Sequence, residues 1–434
     1  MSVHEIERRP VSGAITVPWG STIRAALARP LADYYVVLAS AAALTALGLY
    51  MVVSASSVLS MVATRSATST GNPYFYGLSQ LRVVLIGIPV VFLISRLSRR
   101  ALVIAAWASV ALSIALLALV VLPGGPGVAS NGNRAWLDLP LLPQIQPSEF
   151  AKAAIVLWSA ALFAQPARVQ RLSSLRALLI PYLPVAGLIL GLVVAERDMG
   201  TSVIICAIIV AQLWFAGASG KIIGAGLVFG AAGGAAMVVF SAVRRVKVIG
   251  FLATMFPFLH LPASTMSDQP QNAIYALATG GWWGVGPGAS RQKWGGLYNG
   301  AHTDYILAVL GEELGLLGIL VVLGLLTTLL VTGLRIARRC DSPFWRLAVS
   351  GMVGWLLVQA GINTLVAFGL LPVMGVPFPL MSYGGSDLLA AMIGVGVMLA
   401  AARHEPAARR ALAERRGDKR SRGMTGVVVA TRAK

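Results

Sequence analysis

The chain has 434 residues, 57% of them hydrophobic and only 12% charged, with a formal net charge of +19 and a mean hydropathy of +0.78. Soluble domains carry about 25% charged residues, so that class is excluded, and the lack of strand-period alternation argues against a membrane β-barrel. Composition points instead to an all-α polytopic membrane protein, each span needing about 20 apolar residues.

A polar cytoplasmic segment, residues 1–33, precedes the first apolar run and has no cleavage-site pattern, so that run does not read as a signal peptide. Apolar stretches suited to spans follow near 34–57, 79–97, 101–122, 150–165, 177–195, 201–217, 221–241, 305–334, 346–370 and 386–402, about ten in all, the fifth interrupted by Pro181 and Pro184. With this alternation 25 of the 35 Lys and Arg fall on one side, which the positive-inside rule makes cytoplasmic, together with both termini. The membrane domain is then 34–403, with long outward segments at 58–78, 123–149, 242–304 and 371–385. The third of these, between spans seven and eight, is too aromatic and apolar for a disordered tether and reads as a folded cap at the outer surface. The tail, 404–434, follows Arg403; ten Lys and Arg from that residue onward fit it to anionic inner-leaflet lipid or an acidic cytoplasmic partner. Cys206 lies in a span and Cys340 in an inner loop, so they do not pair and lack metal-ligand spacing. Cys340 inside and Ser290 outside would serve as labelling positions for testing this orientation.

Nucleotide chemistry finds no support. "GASGK" at 217–221 lacks the phosphate-loop spacing and the hydroxyl residue after Lys221, and the glycines of "GVGPG" follow no strand. No DxD pair is present to hold a metal–sugar-nucleotide, and no nucleic-acid partner is expected. The polar residues that anchoring does not explain fall in the outward segments. In "QPSEFAK" Glu149 complements the dipole of a helix begun by Pro147 and shares a face with Lys152, either as an interface pair or as part of a site. "AERDMGTS" places Asp198 in a charged connector. "VRRVKV" sets Arg244, Arg245 and Lys247 against the positive-inside trend, as headgroup anchors or as partners for phosphates on a membrane-borne ligand. "NGAHTDYILAVLGEELGLLG" brings His302 and Asp304 to the lip of span eight and buries Glu312 and Glu313 inside it, where a carboxylate costs roughly 2.5–3.5 kcal/mol on insertion scales.

Taken together, "NGNRAWLDL…QPSEFAK", "ERDMGTS", "YNGAHTDYILAVLGEELGLLG" and "LLPVMGVPFPLMSYGGS" resemble the signature segments of the SEDS family, which includes FtsW and RodA. The likeness covers roughly 33–403, with four motifs in order, and the tail is similar to that of actinobacterial FtsW. Departures are "ERDMG" for a commoner P-D-L-G form, Pro287 in place of an aliphatic residue, and Asn299 where Pro or Glu is common. The resemblance implies a peptidoglycan glycosyltransferase that polymerises lipid II outside the membrane, at the division septum, beside a class B penicillin-binding protein and other divisome membrane proteins. It makes Asp304 the match to the family's essential aspartate, as general base or as ligand of a divalent cation such as Mg or Mn. It makes Glu149, Lys152, Arg244, Arg245, His302, Ser382, Gly384 and Gly385 candidate substrate-binding positions. Arg134, Asp198, Glu312 and Glu313 become supporting groups, the two glutamates as interior hydrogen-bonding residues and His302 as a positioning or surface histidine.

The reaction implied is attack of a sugar hydroxyl of one lipid-linked disaccharide on the anomeric carbon of another, expelling a polyprenyl pyrophosphate. It needs a base at the hydroxyl and positive charge at the leaving group. Competing readings are a lipid II flippase with Glu312 and Glu313 lining its path, an elongation polymerase of the RodA type, and a scaffold acting through its tail.

Overall fold

The computed structural model describes residues 29–66, 70–130, 133–138, 144–165, 182–256, 269–298 and 300–414. The expectations for segment 1–28, for the tail from 415 on, and for Pro181 and Asn299 lie outside the described residues.

Twelve helices build the bundle: α1 (Ala32–Thr64), α2 (Phe75–Arg96), α3 (Arg99–Val121), α4 (Pro147–Phe163), α5 (Tyr182–Ala195), α6 (Met199–Phe215), α7 (Gly220–Val239), α8 (Ala242–Met255), α9 (Gln269–Gly280), α10 (Ile306–Arg339), α11 (Pro343–Ala367) and α12 (Gly385–Arg403), and residues 406–414 are helical as well. Each of the ten apolar stretches, as far as its residues are described, falls on one of them, α8 and α9 being additional helices within 242–304. Seven (α1, α2, α3, α7, α10, α11 and α12) are long and apolar enough to cross a membrane, while α5 and α6 are shorter apolar helices. The bundle is that of a multi-pass membrane protein.

Burial sorts the helices. In α4 nearly every side chain is buried, because it is enclosed by α3, α6, α11 and α12; a helix apolar on all sides belongs in such a position. At the other extreme α7 buries no residue and touches only its chain neighbours α6 and α8 among the strong contacts. A two-stranded antiparallel hairpin, β1 (Gly127–Ser130) with β2 (Asn133–Leu137), stands between α3 and α4. The Arg134 guanidinium knits its base by donating to the carbonyls of Leu122, Gly125 and Gly127.

One expectation is corrected. Span eight does not run unbroken from 305: Gly315, at φ 69° and ψ −169°, is not helical and divides α10 into 306–314 and 316–339. A Cβ there would collide with the Trp282 carbonyl and the Gly284 amide, so only glycine permits the approach. Residues 306–313 are buried throughout, whereas from Leu316 onward buried and exposed positions alternate in the manner of a lipid-facing helix. The second part alone spans about 36 Å at 1.5 Å per residue, enough for a bilayer core of about 30 Å. Glu312 and Glu313 therefore sit before the span, in a segment enclosed by protein.

The opposite end of the bundle is basic. There Asp33 at the start of α1 pairs with Arg335 and, at 3.0 Å, with Arg339. Cys340 is buried and its thiol is pushed up to about 12 by burial. Ser290 is buried as well, so neither position reports solvent access as first expected.

Candidate functional site

The ends of α4, α5, α6, α10, α11 and α12 that oppose the basic end carry the polar motifs, and the structure assembles them in two layers. The upper layer is the turn 302–304, which leads into α10. Three successive carbonyls of this turn are held: His302 O accepts from the Tyr383 amide at 2.8 Å, Thr303 O from Ser382 Oγ at 2.6 Å, and Asp304 O from Asn363 Nδ2 at 2.8 Å. Asn363 also donates to Val376 O, and Ser382 Oγ accepts from the Phe378 amide, so the donors are themselves fixed. Gln80 of α2 reaches across to Ser382 O and to the Gly384 amide. The "SYGGS" turn is thus a strap: the Ser382 hydroxyl is committed to backbone, and Gly384 and Gly385 form the entry to α12.

Asp304 is half-buried, and burial raises its carboxyl to about 6, against the pull of the Lys247 charge and with a smaller push from Asp198. His302 is buried between the rings of Tyr76 and Tyr383, at 5.2 and 5.3 Å, and burial lowers it to about 4. It is neither a surface histidine nor a cation at neutral pH.

The lower layer is a buried charge cluster. Lys152 is fully buried and its ammonium meets Glu149 at 2.6 Å, Gln359 Oε1 at 3.0 Å and Asp387 at 3.6 Å, with the Trp355 ring centroid at 5.3 Å. Gln359 ties the cluster upward, donating to Asp387 Oδ1 at 2.7 Å and to Pro377 O at 3.1 Å. An ammonium has three hydrogens, and three acceptors surround this one. The Lys152 ammonium is therefore engaged inside the protein by Glu149 and Gln359, with Asp387 beside it at 3.6 Å.

Between the layers, Asp198 caps α6 by accepting from the Thr201 amide and hydroxyl at 3.0 and 2.9 Å, and takes a third bond from Gln146 Nε2. Burial raises Asp198, and the Thr201 bonds oppose this. Beside it Glu196 is buried and raised to about 9 by burial and the Asp198 charge. Arg244 donates to Arg197 O; burial lowers Arg244 and the Asp198 charge acts against this. Arg245 and Lys247 are exposed on the same helix.

Glu312 and Glu313 form a separate knot. Glu312 accepts from Ser290 Oγ at 2.5 Å and from the Arg291 and Gln292 amides, while Glu313 accepts from Lys293 Nζ at 2.6 Å and Ser54 Oγ at 2.7 Å. Sequence reading did not single out Gln80, Gln146, Glu196, Lys293, Gln359, Asn363 or Asp387. The signal was available for two of them: Gln359 and Asn363 are polar, four residues apart and on one face of a mostly apolar helix.

Among the described residues no three of His, Cys, Asp and Glu gather as a metal cage. A divalent cation at Asp304 would have at most one further protein ligand from that set among the described residues.

A multi-pass bundle whose polar residues converge at one end, beneath a strapped aspartate, defines the class, and the chain belongs to the FtsW/RodA/SpoVE family, described as "Cell cycle protein", which matches residues 34–407. Among relatives, a "Probable peptidoglycan glycosyltransferase FtsW" of Mycobacterium tuberculosis is 38% identical over 399 residues, covering 91% of this chain and 72% of its own length. The protein so named in Bacillus subtilis is 32% identical over 359 residues, covering 81% and 86%. Among solved structures, a chain from "Structural coordination of polymerization and crosslinking by a peptidoglycan synthase complex" is similar with TM-score 0.66 and 27% identity, covering 85% of this chain and 97% of that one. Rod shape determining protein RodA of Thermus thermophilus is similar with TM-score 0.58 and 26% identity, covering 88% and 98%.

Proposed function

We propose that the chain is a peptidoglycan glycosyltransferase that polymerises lipid II into glycan strands on the outer face of the plasma membrane, in septal wall synthesis. Both termini are cytoplasmic in this reading, and a class B penicillin-binding protein is its partner. The family membership and the names of the relatives support the activity, and the FtsW name supports the septal role. The observation that carries the site is the three-carbonyl strap on 302–304, which fixes the one half-buried carboxylate in the upper layer.

Asp304 is the general base. Raised to about 6, it is ionised at neutral pH yet basic enough to take a proton. It receives the proton of the acceptor hydroxyl as that oxygen bonds to the anomeric carbon of the donor; the bond from this carbon to the pyrophosphate oxygen breaks, with inversion. Exposed Arg245 and Lys247, with Arg244 beneath them, supply positive charge for the pyrophosphate. Lys152, Glu149 and Asp387 form the floor that holds α4, α11 and α12 in register under the strap.

The transport reading has lost its polar path, because Glu312 and Glu313 are committed to Ser290, Lys293, Ser54 and backbone amides. The test is polymerisation of lipid II by purified protein with its penicillin-binding partner. Asp304→Asn should lower the rate about 10²–10⁴-fold, the usual worth of a general base, with folding and partner binding retained. Polymer formed by Asp304→Asn at the wild-type rate overturns the base assignment, and transport of lipid II without polymer overturns the activity.

A further inference from the structure

The break at Gly315 interrupts the helical ladder and strands backbone groups on both sides of it. They are not left to solvent or lipid. Glu312 O accepts from the Val285 amide at 2.9 Å and Glu313 O from the Gly286 amide at 3.1 Å; on the far side the Leu316 and Leu317 amides donate to Gly281 O and Trp282 O at 2.8 and 3.3 Å. Segment 281–286 thus completes α10, backbone against backbone, with Gly284 at φ 81° pressed on the Glu313 carbonyl. Non-helical chain at membrane depth persists only where its polar groups are satisfied in this way.

From this locked segment two side chains stand out: Trp282 is 65% exposed and Trp283 81%. Val285 beside them is exposed too, and residues 280–290 contain no charge. The indoles continue an exposed apolar strip on the first turns after the break, formed by Leu316, Leu317, Leu320 and Val321. That strip begins the part of α10 that crosses the bilayer, whose far end is marked by Arg338 and Arg339. Counting about 36 Å back from those arginines brings Gly315, and Trp282 and Trp283 with it, to the opposite boundary of the membrane. Tryptophan favours that boundary, ring toward hydrocarbon and N–H toward headgroups.

We propose that Trp282 and Trp283 insert into the interfacial layer of the bilayer on the site's side, so that a lipid surface is the partner of this loop. The consequence is positional. The rigid segment 306–314 joins the anchored break to the strapped turn, so the anchor sets the height of Asp304 above the lipid, where the pyrophosphate of a membrane-borne substrate lies. The inference rests on the chain's crossing a bilayer, and not on the role of Asp304.

The test uses the full chain with Cys206→Ser and Cys340→Ser, in nanodiscs of phosphatidylcholine and phosphatidylglycerol. A fluorophore is attached at Val285→Cys, which leaves both indoles in place, and in a control protein at Asp138→Cys, exposed at the end of the hairpin. Doxyl-labelled lipid should quench the 285 probe severalfold more than the 138 probe, and aqueous iodide should show the reverse order. Adding Trp282→Ala and Trp283→Ala should raise iodide quenching at 285 severalfold. The proposal is overturned by equal iodide access at 285 and 138, by no change in the double variant, or by a 285 probe shielded from both quenchers, which would mean that protein covers the patch. None of these readouts needs turnover, so a failed polymerisation assay leaves them interpretable.

Discussion

Replacing Lys152 by methionine separates a structural cation from one that touches substrate. Methionine keeps the length and most of the volume of the buried stem, so the cavity term is small. What is lost is the charge between two carboxylates: Glu149 at 2.6 Å and Asp387 at 3.6 Å would face each other across an apolar side chain, and Gln359 Oε1 would lose a donor at 3.0 Å. Removing one partner of a buried ion pair costs about 3–5 kcal/mol, because the remaining charge stays buried without compensation. The whole margin of a typical domain is about 5–15 kcal/mol, so Lys152→Met should unfold at clearly lower temperature in detergent and yield little folded protein. A second variant adds Glu149→Gln, leaving one carboxylate, and should recover much of the loss. The assays are thermal unfolding followed by tryptophan fluorescence, and polymerisation of lipid II by whatever fraction is folded. Lys152→Met that melts like wild type but makes no glycan would refute the reasoning, since it would show Lys152 acting on the substrate.

The activity of the wild type should fall as the pH drops through about 6, because only the ionised form of Asp304 accepts a proton and its carboxyl is raised to about 6. Lys247→Met should move this acid limb upward and Asp198→Asn downward, each by less than about one unit for groups screened by solvent or already bonded; shifts of the same sign in both would contradict the assigned electrostatics. Gly315→Ala should lower stability or activity, since a Cβ there meets the Trp282 carbonyl and the position holds a positive φ; wild-type melting and turnover would show that the break is not needed. In intact cells a cysteine at Asp138 should react with an impermeant thiol reagent and one at Arg338 should not, both being exposed at opposite ends of the bundle. The reverse pattern would invert the topology.

The sequence by itself determined the class, because spans are encoded locally. A run of apolar residues either satisfies its own backbone as a helix or does not belong in a bilayer, so all ten stretches, as far as their residues are described, fall on helices. It also drew attention to the segments that meet at one end, since polar residues in an apolar chain are conspicuous wherever they stand. Partners are another matter. That Lys152 is shared among Glu149, Gln359 and Asp387 depends on three helices meeting, and a spacing of three residues indicates only one of those contacts. The carbonyls of 302–304 have no signature, because every residue carries one; the strap exists only where Asn363, Ser382 and Tyr383 arrive from elsewhere in the chain. The break in α10 was hidden for a related reason. Hydropathy reads straight through Gly315, and a helix stops there only because segment 281–286, distant in sequence, takes over the hydrogen bonds that the break exposes.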